Sequence, residues 1–189
     1  MFKKIQNYFI YKKQKQFAKL FKLSPNSYFL DISCGIGNEL NIIKKFNPQL
    51  NTFGIDISKE SISMAKNIFP NISFQIADAH SLPFKENYFN HLFSSMTFHH
   101  YQNPDQIFKE AYRVLKTNGH FYILDLIPLT GLSQWFLNKD KCPEKYFFKK
   151  YYTKKELLNI AQKYQFQLKN VKTIDILNGI KFLTFSKLT

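Results

Sequence analysis

The sequence predicts a doubly wound α/β fold with a mostly parallel sheet, and three observations carry that prediction. Short apolar runs of β character alternate with helical stretches along residues 28–126. Such alternation requires crossover connections, hence parallel strands covered on both faces. Farther on, Asn178-Gly179 separates two β runs, the strongest short signal for a hairpin. Finally, 189 residues with 44% apolar and 21% charged side chains make one domain, whose core needs neither metal nor disulfide.

Each element follows from local pattern. A basic amphipathic helix is expected within residues 1–24, where Phe2, Ile5, Phe9, Phe17 and Leu20 recur at near-helical spacing among Lys12, Lys13, Lys15 and Lys19, before Pro25. Tyr28 to Ile32 reads as a first strand, Gly35 and Gly37 as a turn, and Glu39 to Phe46 as a helix. Thr52 to Ile57 is a second strand, and Ser58 caps a helix reaching Phe69. Pro70-Asn71 punctuates the join to a third strand, Ile72 to Ala77. His91 to Phe98 reads as the fourth strand, Asp105 to Leu115 as a helix, and Asn118-Gly119 as the turn into a fifth strand, Phe121 to Leu126. Residues 127–152 break the rhythm with Pro128, Gly131, Trp135, Pro143 and a run of aromatics from Tyr146 to Tyr152, which suggests an insertion on the substrate side. Thr153 then caps a helix to about Tyr164, and Leu168 to Ile176 and Ile180 to Ser186 follow as strands.

Composition excludes several classes. The longest apolar run, Phe121 to Leu129, is interrupted by Asp125 and falls far short of the ~20 residues of a bilayer span. Lys3 and Lys4 are not followed by an uninterrupted apolar stretch and a small-residue cleavage site, so export is not expected. Cys34 and Cys142 lie far apart with no partner at metal-ligand spacing, which fits a reducing cytoplasm and no metal site. The net charge is +14, yet 26 of the 27 basic residues are lysine and Arg113 is the one arginine, as AT-rich codon bias produces. Its distribution is more informative: residues 1–30 carry +7, residues 31–126 carry −1 and residues 127–189 carry +8. Basic flanks around a near-neutral centre fit either solvated surface or an anionic partner, whether substrate, membrane surface or RNA.

In an open parallel sheet, ligands bind beyond the carboxyl ends of the strands. The first such end reads Asp31-Ile32-Ser33-Cys34-Gly35-Ile36-Gly37, and the second ends in Asp56, 21 positions after Gly35. A dinucleotide fingerprint wants a third glycine where Leu40 stands. Asp56 falls where a carboxylate accepts from both ribose hydroxyls. Asp31, at the mouth of the glycine turn, repels a pyrophosphate and attracts a cation. A cationic nucleoside without phosphate meets these demands, and S-adenosyl-L-methionine is one.

These motifs resemble the class I S-adenosylmethionine-dependent methyltransferases, in particular the small enzymes that include the ubiquinone and menaquinone methyltransferases. The resemblance spans residues 27–126. It is carried by Phe29-Leu-Asp31-Ile-Ser-Cys-Gly35-Ile-Gly37, by Gly54-Ile-Asp56-Ile57-Ser58, by Ala77-Asp78-Ala79 leading to Leu82-Pro83-Phe84, and by Phe98-His99-His100 leading to Glu110-Ala-Tyr-Arg113-Val-Leu-Lys116. It implies a seven-stranded Rossmann-like sheet with an antiparallel last hairpin. It also implies a cofactor held by Asp31, Ser33, Gly35 and Gly37 at the methionine end, by Asp56 at the ribose, by Ile57 against adenine, and by Asp78 with Ala79 at the adenine amino edge. Two positions depart from the family pattern: Ser33 stands at the first glycine, and Asn90 stands where an Asp commonly follows Phe89.

His99 and His100 are the candidates to accept a proton from the acceptor, since an unperturbed imidazole titrates near pH 6.5; a structural role is their plainer reading. Glu110 and Arg113, three apart on one helix, read as a surface pair or as packing on the sheet, and Phe84, Phe89, Phe98 and Phe108 as core. The fourth strand lacks a Pro-Pro-aromatic motif, and Cys142 precedes rather than follows Pro143. Both facts disfavour attack on the amino groups of adenine or glutamine and on a pyrimidine ring carbon. A small molecule, a quinone or lipid, or an RNA remains as methyl acceptor. The rival functions are a non-catalytic subunit of the same fold that binds or activates a partner, and an NAD-linked oxidoreductase, which Leu40 and Asp31 oppose.

Overall fold

The computed structural model describes residues 14–139, 150–175 and 179–188. The strands are β1 (Tyr28–Asp31), β2 (Asn51–Asp56), β3 (Ser73–Ile76), β4 (Phe89–Ser95), β5 (Leu115–Leu126), β6 (Phe166–Asp175) and β7 (Ile180–Lys187). They form one sheet in the order β3-β2-β1-β4-β5-β7-β6. β1 to β5 run parallel, and β7 lies antiparallel between β5 and β6. Helical residues 14–18 (α1) precede α2 (Asn38–Phe46), α3 (Lys59–Ile68), α4 (Pro104–Val114), α5 (Gly131–Lys139) and α6 (Lys154–Lys163). Strand order reverses beside β1, where the chain, having moved outward through β2 and β3, crosses back to β4. A crevice for ligand is expected at that point.

Continuous apolar strands are the mark of a sheet buried on both faces. Neighbours in one strand serve opposite cores: Leu30, Leu92, Phe121 and Leu183 face one, while Phe29, Phe93, Tyr122 and Phe182 face the other. Phe89, Phe98 and Phe108 are buried as expected, and Phe84 packs partly buried against them. Three helices start where a polar side chain can cap them. Ser58 Oγ accepts from Ser61 N–H, Asn103 Oδ1 accepts from Gln106 N–H, and Thr153 forms a reciprocal capping box with Glu156.

Some expectations are corrected. The fourth strand stops at Ser95 rather than Phe98, because Met96 turns into the left-handed region at φ 49° while its N–H reaches Leu124 O; Phe98–His100 form a 3-10 turn. Asn118-Gly119 is a bulge inside β5 and not a turn before it: pairing jumps from Phe89↔Leu115 to His91↔His120. Asn118 takes φ 61° there, and a side chain on Gly119 would meet Lys116 O at 2.7 Å. The insertion after β5 contains a helix, α5. Of the basic N-terminal segment, Phe17, Leu20 and Phe21 contribute to the core under α1. Lys12 and Lys13, Cys142, Pro143 and Tyr146, and Ile176 and Asn178 lie outside the described residues.

Candidate functional site

Three carboxylates arrive at the same edge because each ends or follows a parallel strand: Asp31 at β1, Asp56 at β2 and Asp78 two residues beyond β3. Their surroundings differ. Asp31 is 1% exposed, and its Oδ1 accepts from Ser33 N–H at 3.1 Å. Among the described residues no cation pairs with it. Burial pushes its carboxyl up to about 8, helped by the negative charges of Glu39 and Asp56 and opposed by the Ser33 N–H. Asp56 is tied to the glycine turn, its Oδ2 accepting from Gly35 N–H at 2.8 Å and its Oδ1 from Ser58 N–H at 2.9 Å. Asp78 is exposed; burial pushes its carboxyl upward, but the backbone N–H and ring of His80 outweigh this and hold it below the usual carboxylate range. Its Oδ1 takes both bonds, at 2.8 Å and 2.7 Å.

The two glycines of the turn have separate tasks. Gly35, at φ 51°, faces open space, with nothing within 4 Å of where a Cβ would stand. Gly37, at φ 84°, begins α2, and a Cβ there would come within 2.6 Å of the Phe74 ring. Gly35 thus keeps the cradle open, and Gly37 lets the helix pack. Ile57, the next residue after Asp56, is 67% exposed, an apolar side chain displayed beside a ribose-type carboxylate. Ser33 Oγ is buried with no hydrogen-bond partner among the described residues. Ala79 is buried.

At the ends of β4 and β5, a residue that sequence reasoning passed over pairs with one of the candidate histidines. Asp125, in β5, accepts from the His99 ring Nδ1 at 2.8 Å and from the His99 backbone N–H at 3.0 Å. Both residues are buried. A carboxylate only accepts, so the Nδ1 facing Asp125 carries the hydrogen. His100 is half-buried, and its ring lies 4.1 Å from that of His99. Tyr151 stacks on His99 at 4.6 Å. The signal for Asp125 was present as one acid within an apolar β run.

Asn90, the second departure from the family pattern, joins strands: its Oδ1 accepts from Tyr28 N–H at 3.0 Å. Glu110 and Arg113 do pair, but Glu110 is buried, and together they grip the loop that follows Ala79.

The family model for a methyltransferase domain matches residues 30–123, from inside β1 into β5. The chain is 30% identical over 99 residues to demethylmenaquinone methyltransferase of Thermotoga maritima, covering 52% of this chain and 43% of that protein. It is 34% identical over 110 residues to the ubiquinone/menaquinone biosynthesis C-methyltransferase UbiE of Rickettsia felis, covering 53% of this chain and 44% of that protein. The chain carries a methyltransferase domain over residues 30–123. As these figures show, it matches less than half the length of those relatives. The methyltransferase fold extends beyond the matched region: a SAM-dependent methyltransferase of Methanosarcina mazei superposes with a TM-score of 0.72 at 23% identity, covering 88% of this chain and 94% of that one. Among the described residues, no helix is long and apolar enough to cross a membrane, and no group of three or more His, Cys, Asp or Glu could hold a metal ion.

Proposed function

We propose that this chain transfers a methyl group from S-adenosyl-L-methionine, bound over β1 to β3, to an acceptor that gives up a proton to His99. The observation that carries this reading is Asp31, a buried carboxylate that no cation pairs with among the described residues, beside an open Gly35 and a buried Ser33 hydroxyl. These features fit a cationic amino-acid end. Asp56 offers a ribose its remaining lone pairs, Ile57 offers a ring an apolar surface, and Asp78 keeps Oδ2 for an amino group. When bound, the cofactor supplies a methyl carbon on a sulfonium, which leaves as a neutral thioether. The protein's work is alignment, exclusion of water and proton acceptance. His99 accepts the proton at Nε2, and Asp125 positions the ring and steadies its charged form.

The acceptor side favours an apolar molecule. Leu129, Leu132, Trp135 and Met96 are all exposed beyond β4 and β5, and relatives are named for quinone and sterol methylation. An open cleft of about 730 Å³ beside α5 and α6 is lined by Leu129 and Leu158 together with Lys154, Lys155 and Glu156, and its two lysines outnumber its one carboxylate, which suits an acceptor met at an anionic surface. Ser33, in place of a glycine, favours as second reading a subunit that binds the cofactor and activates a partner.

Calorimetry with S-adenosylmethionine, S-adenosylhomocysteine and NAD tests the binding site: the first two bind and NAD does not. NAD binding alone would sink the proposal. Methylation of a demethylmenaquinone analogue in anionic vesicles, lost in His99→Ala and strongly slowed in Asp125→Asn, separates an enzyme from a binding subunit. Vesicle and RNA binding across a salt series then separates a lipid surface from nucleic acid.

A further inference from the structure

Helix α4 connects β4 to β5, yet three of its side chains reach the loop of residues 77–84 and hold its backbone. Gln106 Nε2 donates to His80 O at 3.1 Å. Glu110 Oε2 accepts from Leu82 N–H at 2.8 Å. Arg113 donates from Nη2 to Leu82 O at 2.8 Å and from Nη1 to Phe84 O at 2.6 Å. The same guanidinium closes a fork on Glu110, with Nε to Oε1 at 2.8 Å and Nη2 to Oε2 at 2.6 Å. Leu82 is therefore pinned through both its N–H and its carbonyl. Arg113 is the one arginine among 27 basic residues. An ammonium group, with three donors on one point, cannot span two carbonyls and both oxygens of a carboxylate; a planar five-donor guanidinium can.

The gripped loop carries Asp78 and Ala79 near its start. Asp78 Oδ1 is occupied by His80, so the carboxylate presents Oδ2 in a direction set by where His80 is held. Gln106 fixes His80 from its carbonyl, and Arg113 with Glu110 fixes the loop two and four residues farther on.

We infer that α4 sets the position of the nucleobase-reading loop, with Arg113 as its positioning residue, and that this grip supplies the preference for an adenine ring over a hypoxanthine ring. The inference rests on the reading that Asp78 and Ala79 face the adenine amino edge. A carboxylate accepts from the 6-amino group of adenine and repels the 6-oxo group of hypoxanthine, so discrimination depends on placing Oδ2 within hydrogen-bond reach. A loop that drifts by about an ångström loses that contact while its apolar contacts persist.

The test is calorimetric titration with S-adenosyl-L-homocysteine and S-inosyl-L-homocysteine of wild type, Arg113→Lys and Gln106→Ala, each checked by thermal melting. Wild type is expected to prefer the adenosyl ligand by tenfold or more. Arg113→Lys weakens the adenosyl ligand about tenfold with little change for the inosyl ligand, so the ratio collapses; Gln106→Ala moves the ratio the same way by two- to threefold. General destabilisation lowers melting temperature and leaves the ratio alone. A folded Arg113→Lys protein with the wild-type ratio overturns the inference; if that variant does not fold, an unchanged ratio in Gln106→Ala overturns it. A wild type that binds S-adenosylhomocysteine without preference over the inosyl analogue also overturns it while leaving the cofactor site standing. A wild type that binds neither ligand overturns the cofactor reading itself.

Discussion

A carboxyl group shut away from water and given no cation spends neutral pH largely protonated, and Asp31 is such a group. Its ordinary value of 3.8 applies to the unfolded chain and about 8 to the folded one. Between those limits the folded state binds more protons, so its contribution to stability falls as pH rises. Arrival of a cation beside it reverses the preference. Binding of S-adenosylmethionine near pH 7 is therefore expected to release close to one proton, seen as a dependence of calorimetric heat on buffer ionisation enthalpy. Asp31→Asn removes the release and weakens binding; a wild type that releases no proton sinks the electrostatic role. Asp56 makes a different prediction, because it holds Gly35 and Ser58 in addition to any ribose. Asp56→Ala should lose affinity at least about tenfold, since bonds to charged groups contribute roughly 1.5–3 kcal/mol, and should also melt lower. Retained affinity in the folded variant rejects the ribose contact.

At the scale of elements, the two glycines before α2 separate packing from binding. Gly37→Ala meets both a left-handed backbone, at roughly 1–2 kcal/mol, and the Phe74 ring, and overpacking adds about 1–3 kcal/mol. Gly35→Ala meets only the backbone cost but places a methyl in the cradle. Chemical denaturation should show the larger loss for Gly37→Ala, and ligand titration the larger loss of affinity relative to stability for Gly35→Ala. Strands, caps and the glycine turn were legible because they repeat a period or obey a local rule. Met96 and Asn118 were not, because positive φ at a side-chain-bearing residue answers to neighbouring strands. Nor were the tasks of Glu110 and Arg113, whose partners are main-chain atoms about thirty residues away in sequence. Asp125 hid inside an apolar run, and only the turn of the chain at Met96 brings His99 back onto it.

The whole molecule sums opposing titrations. His91 is buried beside His120, and burial first, then that neighbour, pulls its pKa down to about 4. Its folded value lies below 6.5, so its contribution is lost as pH falls from about 6.5 through 4, the direction opposite to that of Asp31. Between about pH 4 and 6.5 the two nearly cancel, and above about 6.5 the Asp31 decline stands alone, so stability without ligand should fall on the alkaline side up to about pH 8. Asp31→Asn should flatten the alkaline side and uncover the acid-side loss from His91, as urea unfolding measured from pH 4 to 9 would reveal; an alkaline side unchanged in that variant assigns the decline to other groups.

The placement of β7 has a bearing on how the protein is made. Leu126 of β5 pairs with Ile180 of β7, and β6, synthesised earlier, lies outside both. While the ribosome is still translating α5, α6 and β6, the edge of β5 that β7 covers in the folded sheet has no strand to close it. Closure waits for residues 180–187 to emerge from the exit tunnel and slide in as the central member of the last three strands. A nascent chain stalled before that point carries an open sheet edge, the feature that chaperones shield and that aggregates propagate.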